Sequence, residues 1–227
     1  MLKARIKFSK NGNVKFTGHL DVMRFFQKAI KRAGVDIAYS EGFSPHQIMS
    51  FASPLGVGIT SDAEYIDVTF NSASDGKKMI EDLNSQMVEG LKVLGIKKLS
   101  EDAKTSMALV AAAEYIVKFR EGYCEKINLE KINDFMSLDK IVIEKKTKRN
   151  VVETDIRPMI ISLSKEGEKL RMMLQSGSVV NLKPDLLMQA FFQFIGEELP
   201  EFSLEIHRVD MYDENMNSLG NEGEDIL

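Results

Sequence analysis

Residues 3–8 alternate strictly, with Ala4, Ile6 and Phe8 apolar and Lys3, Arg5 and Lys7 basic. A period of two fits a half-buried strand and no helix, because only a strand turns successive side chains to opposite faces. The period then changes to that of a helix over residues 19–33. Val22, Met23, Phe26, Ala29, Ile30 and Ala33 form one apolar stripe, and Arg24, Lys28, Lys31 and Arg32 share the outward face. Thr17 or His19 offers an N-cap, and Gly34 sits where a left-handed C-cap is wanted. An amphipathic helix following an amphipathic strand this closely predicts a helix laid on a sheet.

The rest of the chain repeats this grammar. Lys10-Asn11-Gly12-Asn13 is turn chemistry, and Val14-Lys15-Phe16 extends the strand or starts a return. Strands are expected over 35–39, irregularly over 48–59 where Pro54, Gly56 and Gly58 interrupt it, over 64–70 and over 91–99. Ser74 or Asp75 caps a second helix at 76–87. The order β-α-β-β-α-β is the ferredoxin-like pattern. A polar linker, 100–108, precedes a second half. It has a strand at 115–119, a short helix at 129–137 capped by Asn128, and strands near 140–146, 150–155, 158–164 and 169–174. A helix at 184–197 opened by Pro184 and a closing strand at 202–209 complete it. The expected fold is α+β, two ferredoxin-like (βαββαβ) halves, the second with an extra β-hairpin. The expected domains are 1–100 and 109–212, followed by an acidic flexible tail, 213–227.

Apolar residues make up 44% and charged residues 28%, which excludes wholesale disorder. No run of 18 apolar residues exists, so no membrane helix is expected. The N-terminus lacks a signal-peptide core, and a cytoplasmic protein is expected. The net charge of −4 hides an asymmetry. Residues 1–32 carry nine bases against Asp21 alone, whereas residues 210–227 carry six acids and no base. Such asymmetry marks a nucleic-acid surface or simply solvated faces. In the first case Lys3, Arg5 and Lys7 would lie on the open face of the first sheet and follow a phosphate backbone, with Lys28 and Arg32 adding to it. Only Tyr65 in the 64–70 strand is placed to stack on a base.

Chemistry concentrates in two stretches. His19 and Asp21 stand at a helix N-terminus, which can hold a phosphate or carboxylate. Gly42, Phe43, Ser44 and His46 lie in a loop, where histidine can donate to phosphate or move a proton. The plainer reading has His19 capping its helix and His46 packing on Phe43. His19, Asp21 and His46 offer three ligands, but no metal-binding spacing exists, and no metal is expected. No nucleophile elbow, Walker loop or dinucleotide fingerprint occurs. Cys124 lies beside Glu121 and Glu125, which raise a thiol pKa, so it reads as structural. The run Lys145-Lys146-Thr147-Lys148-Arg149 reads as a solubilising hairpin tip. Asp155 and Arg157 share a strand face and form a candidate charge pair.

Gly18-His19-Leu20-Asp21-Val22-Met23-Arg24, Lys31-Arg32-Ala33-Gly34 and Tyr39-Ser40-Glu41-Gly42-Phe43-Ser44-Pro45-His46 together resemble the radical-SAM-linked protein family, a bacterial family of unknown function. Pro54-Leu55-Gly56-Val57-Gly58 with Ser61, Glu64 and Asp67 belongs to the same resemblance, as does Asp155-Ile156-Arg157-Pro158. Gln47 departs from the pattern, where many relatives have proline. The length fits a stand-alone member. The resemblance implies partnership with a radical SAM protein. A radical SAM cluster needs three cysteines and this chain has one. The iron–sulfur cluster and SAM are therefore expected only on the partner, with no cofactor on this chain.

The leading expectation is a non-catalytic accessory module that binds RNA or another substrate for a radical SAM enzyme. Asp21, Arg24, Gly42, Phe43, Ser44, Arg5, Lys7, Lys28 and Arg32 would do the binding. Two alternatives stand beside it. One is a ferredoxin-like RNA-processing enzyme with His19 and His46 as acid and base. The other is a pure protein–protein interaction module.

Overall fold

The computed structural model describes residues 1–123, 127–146 and 151–226. Cys124 and the side chains of the basic run 145–149 lie outside the described residues, so neither expectation is addressed. The elements run β1 Leu2–Lys10, α1 His19–Arg32, β2 Met49–Phe51, β3 Thr60–Phe70, α2 Gly76–Asn84, β4 Leu91–Lys98 and α3 Ser106–Leu109. They continue as β5 Ala112–Phe119, α4 Ile132–Met136, β6 Val142–Lys146, β7 Val151–Asp155, β8 Ile160–Glu166, β9 Lys169–Gln175, α5 Pro184–Phe194, β10 Leu204–Tyr212 and β11 Glu224–Asp225. This is a mixed α+β fold with mostly antiparallel strands and few helices.

The chain forms two compact units, one of residues 1–111 with 208–227 and one of residues 112–207. In the first, β11, β4, β1 and β3 lie side by side, and β2 pairs with β3. Ala4, Ile6 and Phe8 of β1 face the helices, as the alternation predicts, and meet Val22, Phe26 and Ile30 of α1 with Met79 and Leu83 of α2. The Phe8 and Phe26 rings lie 4.7 Å apart between centroids, tilted by 59°, and Phe51 meets Phe8 edge-on. In the second unit β5, β9 and β8 are neighbours, β6 and β7 form a separate hairpin, and Leu187, Phe191 and Met172 are buried.

Several boundaries move. Gly18 rather than Thr17 or His19 is the N-cap of α1, with no side-chain cap. Gly34 takes the expected left-handed backbone at φ +68°. Residues 12–16 make a 3-10 turn instead of strand. It is pinned where the Asn11 N–H meets the Gly90 carbonyl at 2.7 Å. A Cβ on Gly90 would stand 2.3 Å from the Asn11 carbonyl oxygen, so only glycine fits. The expected strand at 35–39 is reduced to single bridges, Ile37 to Phe70 and Tyr39 to Gln47. The 48–59 strand shortens to three residues, since Pro54 has no N–H to give. Asp155 and Arg157 form no side-chain pair. Asp155 Oδ1 instead accepts the backbone N–H groups of Arg157 and Ile141, each at 3.0 Å, and those bonds hold its pKa below the usual carboxylate value.

The expected tail is the largest correction. Residues 213–226 belong to the first unit. Leu219 is 2% exposed, β11 pairs with β4, and Lys97 bonds Asp225 at 2.7 Å. An all-acidic stretch reads as solvated tail, but basic residues on β1 and β4 give it partners.

Candidate functional site

That covering segment decides the fate of the β1 basic row. Arg5 points away from the helices as predicted, yet it is only 2% exposed. Its Nε donates to Asp67 Oδ1 at 2.7 Å, and its Nη1 to Glu222 Oε2 at 2.6 Å and to the Leu219 carbonyl at 3.1 Å. Lys7 is half-buried, 3.6 Å from Asp210 Oδ2. Tyr65 is buried as well, its hydroxyl donating to Asp210 Oδ1 at 2.5 Å. Burial, before the Asp210 bond, pushes its phenol pKa far up. The expected open face is therefore covered, and Arg5, Lys7 and Tyr65 are not set out to meet a phosphate backbone or a base.

The α1 N-terminus rests on a second buried charge cluster that the sequence suggested only as motif fragments. Arg208 holds Glu64 with two bonds, Nε to Oε1 at 2.8 Å and Nη2 to Oε2 at 2.5 Å, and also reaches the Ser53 carbonyl at 3.1 Å. Lys10, 2% exposed, donates to the Thr17 carbonyl at 2.8 Å. Burial lowers the Lys10 pKa, with Glu64 opposing and Arg208 adding to the shift. His19 is half-buried and edge-on to Phe51 at 5.0 Å between ring centroids. Burial lowers its pKa, opposed by the Glu64 charge and reinforced by Lys10. The imidazole therefore stays neutral to lower pH than a free histidine.

The outward face of α1 is uncovered. Arg24 and Asp21 form an exposed pair at 3.2 Å, and Lys28, Lys31 and Arg32 are exposed. Arg32 lies 5.9 Å from the Phe25 ring centroid. The 40–46 loop is fastened to this helix by the departing residue. Gln47 Nε2 donates to the Gln27 carbonyl at 3.1 Å, one position before Lys28. Gln47 is 7% exposed, and its Oε1 has no partner. The loop closes through the Ser40 N–H on the His46 carbonyl at 2.8 Å. Gly42 turns it with φ +105°, a backbone that side-chain-bearing residues rarely adopt. Phe43 beyond it is wholly exposed, Ser44 is exposed, and His46 is exposed with Nδ1 2.8 Å from Ser40 Oγ.

The structure thus brings Arg24, Lys28, Arg32, Gly42, Phe43, Ser44 and His46 onto exposed parts of α1 and the loop tied to it. It separates the two imidazoles by partner: His19 packs on Phe51, and His46 bonds within its own loop. Glu64, Asp67, Arg208 and Glu222 were missed as structural anchors. Glu64 and Asp67 were visible as motif residues, but Arg208 lies 144 positions from Glu64 and Arg5 lies 62 positions from Asp67. Among the described residues no group of three or more His, Cys, Asp or Glu could hold a metal ion. No helix among them is long and apolar enough to cross a membrane.

Among solved structures, a chain of the crystal structure of a Cbf5-Nop10-Gar1 complex matches 96% of this chain at 13% identity with a TM-score of 0.49. This chain spans about half of that one, 53%. An unknown protein from Galdieria sulphuraria matches over 91% of this chain and 96% of its own length, at 12% identity and a TM-score of 0.28. No curated protein matches. Residues 3–184 match a family described as an uncharacterized protein conserved in bacteria, DUF2344, and the chain belongs to that family.

Proposed function

We propose that the chain is a cytoplasmic, non-catalytic module that binds RNA and presents it to a radical SAM enzyme, which carries the iron–sulfur cluster and SAM. The observation that carries the reading is the uncovered cationic face of α1 with the Phe43 loop fastened beside it. Phosphates are held by exposed Lys and Arg, and bases by exposed aromatics. Arg5 and Lys7 of β1 are not part of this surface. We read both halves as ferredoxin-like. The strand orders β4-β1-β3-β2, with α1 and α2, and β10-β5-β9-β8, with α4 and α5, support that reading. The partner rests on the resemblance of the helix and loop motifs to radical-SAM-linked proteins and on the single cysteine. The acid–base alternative has no observation in its favour, since His19 and His46 share no partner.

A gel-shift titration with bulk tRNA at low and high salt tests the RNA part. The expected result is a complex that weakens steeply as salt rises, and absence of any complex refutes it. The partner part is tested by pull-down from a bacterial lysate. Nuclease-resistant recovery of a radical SAM protein is expected, and its consistent absence refutes the partnership.

A further inference from the structure

Resting on the RNA-binding reading, we infer that the loop from Tyr39 to Gln47 is a clamp for an unpaired nucleotide, Phe43 stacking on the base and His46 Nε2 meeting the adjoining phosphate. Four features of the loop lead there.

The Phe43 ring is fully in water, with no apolar neighbour to explain it. The residue before it is a glycine at φ +105°, so the backbone is bent where the ring is thrown outward. The base of the loop is fixed, by the Ser40–His46 backbone bond at 2.8 Å and by Gln47 on the Gln27 carbonyl at 3.1 Å. A flat ring on a fixed stem presents a stacking face at little entropic cost.

His46 adds direction. Its backbone N–H donates to Ser40 Oγ at 3.1 Å, and its Nδ1 lies 2.8 Å from the same oxygen. Nδ1 also lies 3.4 Å from the Ser44 carbonyl, so the loop engages the ring through Nδ1 and leaves Nε2 for a ligand. Nε2 has no protein partner among the described residues, and in the Nε2–H or imidazolium form it donates to a phosphate oxygen. Lys28 and Lys31, exposed on the helix to which the loop is tied, complement the charge of the same strand.

Unpaired nucleotides fit better than duplex. A duplex hides base faces in its own stack, and a single exposed ring has nothing to stack on there. The chemistry required is a base face next to a phosphodiester, which RNA and single-stranded DNA share.

The test is fluorescence anisotropy of the full chain with three labelled probes of about 12 nucleotides, inside the range of known single-strand sites. The probes are oligo-uridine, oligo-deoxythymidine and a fully paired RNA hairpin. Oligo-uridine is expected to bind more tightly than the hairpin. Phe43→Leu is expected to weaken it about tenfold, with little change for the hairpin, and Phe43→Tyr to restore it. Phe43 is exposed, so these variants keep the fold. Ser40→Ala, which frees the imidazole, is expected to weaken oligo-uridine less than His46→Ala does. Loss of oligo-deoxythymidine affinity in Phe43→Leu also supports the clamp, and the ratio of the two strands tells RNA from DNA. If Phe43→Leu binds oligo-uridine like the wild type while Lys28→Ser weakens all probes, the clamp is wrong and the RNA reading survives. If no probe binds, both fail.

Discussion

Glu64 and Asp67 lie three residues apart on β3, so they point to opposite faces of the sheet. Each holds an arginine: Glu64 holds Arg208 beneath the α1 N-terminus, and Asp67 holds Arg5 beneath the covering segment. Breaking a buried ion pair strands the remaining charge, so Glu64→Gln is expected to destabilise the protein by about 3 kcal/mol. A urea titration measures it, and an unchanged midpoint would contradict the burial of this pair. His19 makes a pH prediction. Its folded pKa lies below the ordinary value of 6.5 because of burial. Neutral histidine is thus favoured in the folded state. That stability is fully present above the unfolded pKa and is lost as pH falls through the lower folded one. Unfolding free energies at about pH 7.5 and about pH 5, on either side of the free imidazole value, should show wild type losing more than His19→Gln. Equal losses would remove His19 from its place against Phe51. At this scale the sequence was half legible. The alternation put Arg5 on the correct side of β1, but exposure depended on Glu222, 217 positions away, which no local period can reveal.

Among the elements, β1, α1 and α2 were legible because their apolar periods are strong and their ends carry a glycine or a capping Asp75. The segment 35–39 was not, since its strand-like composition is overridden by a loop that leaves the sheet after Tyr39. The acidic 213–226 stretch was also misread, because β11 has two residues and its anchor is one leucine. Leu219→Ala is therefore expected to cost about 2–3 kcal/mol, as for a core leucine. A change within error would show that the segment does not hold on. On α1, replacing Lys28 and Lys31 with serine is expected to reduce the slope of log affinity against log salt by about 1 to 2. Titrations of RNA binding across a salt series read this, and an unaltered slope would take the helix out of the interface.

Over the whole chain, charge asymmetry is the feature whose meaning changed most. The basic N-terminal third suggested one cationic surface, but acidic C-terminal residues pair with Arg5 and Lys7 of β1 and Lys97 of β4 and leave α1 uncovered. The overall charge of −4 and an exposed cationic helix are therefore compatible. The loop chemistry was legible as motif, whereas its attachment to α1 through Gln47 joins residues 20 positions apart and follows no local period. The most direct test is lysine footprinting by amine-reactive labelling and mass spectrometry, with and without RNA. Lys28 and Lys31 should lose reactivity when RNA is bound, while Lys77 and Lys78, exposed on α2, should keep theirs. Protection of the α2 lysines with Lys28 and Lys31 unchanged would contradict the account.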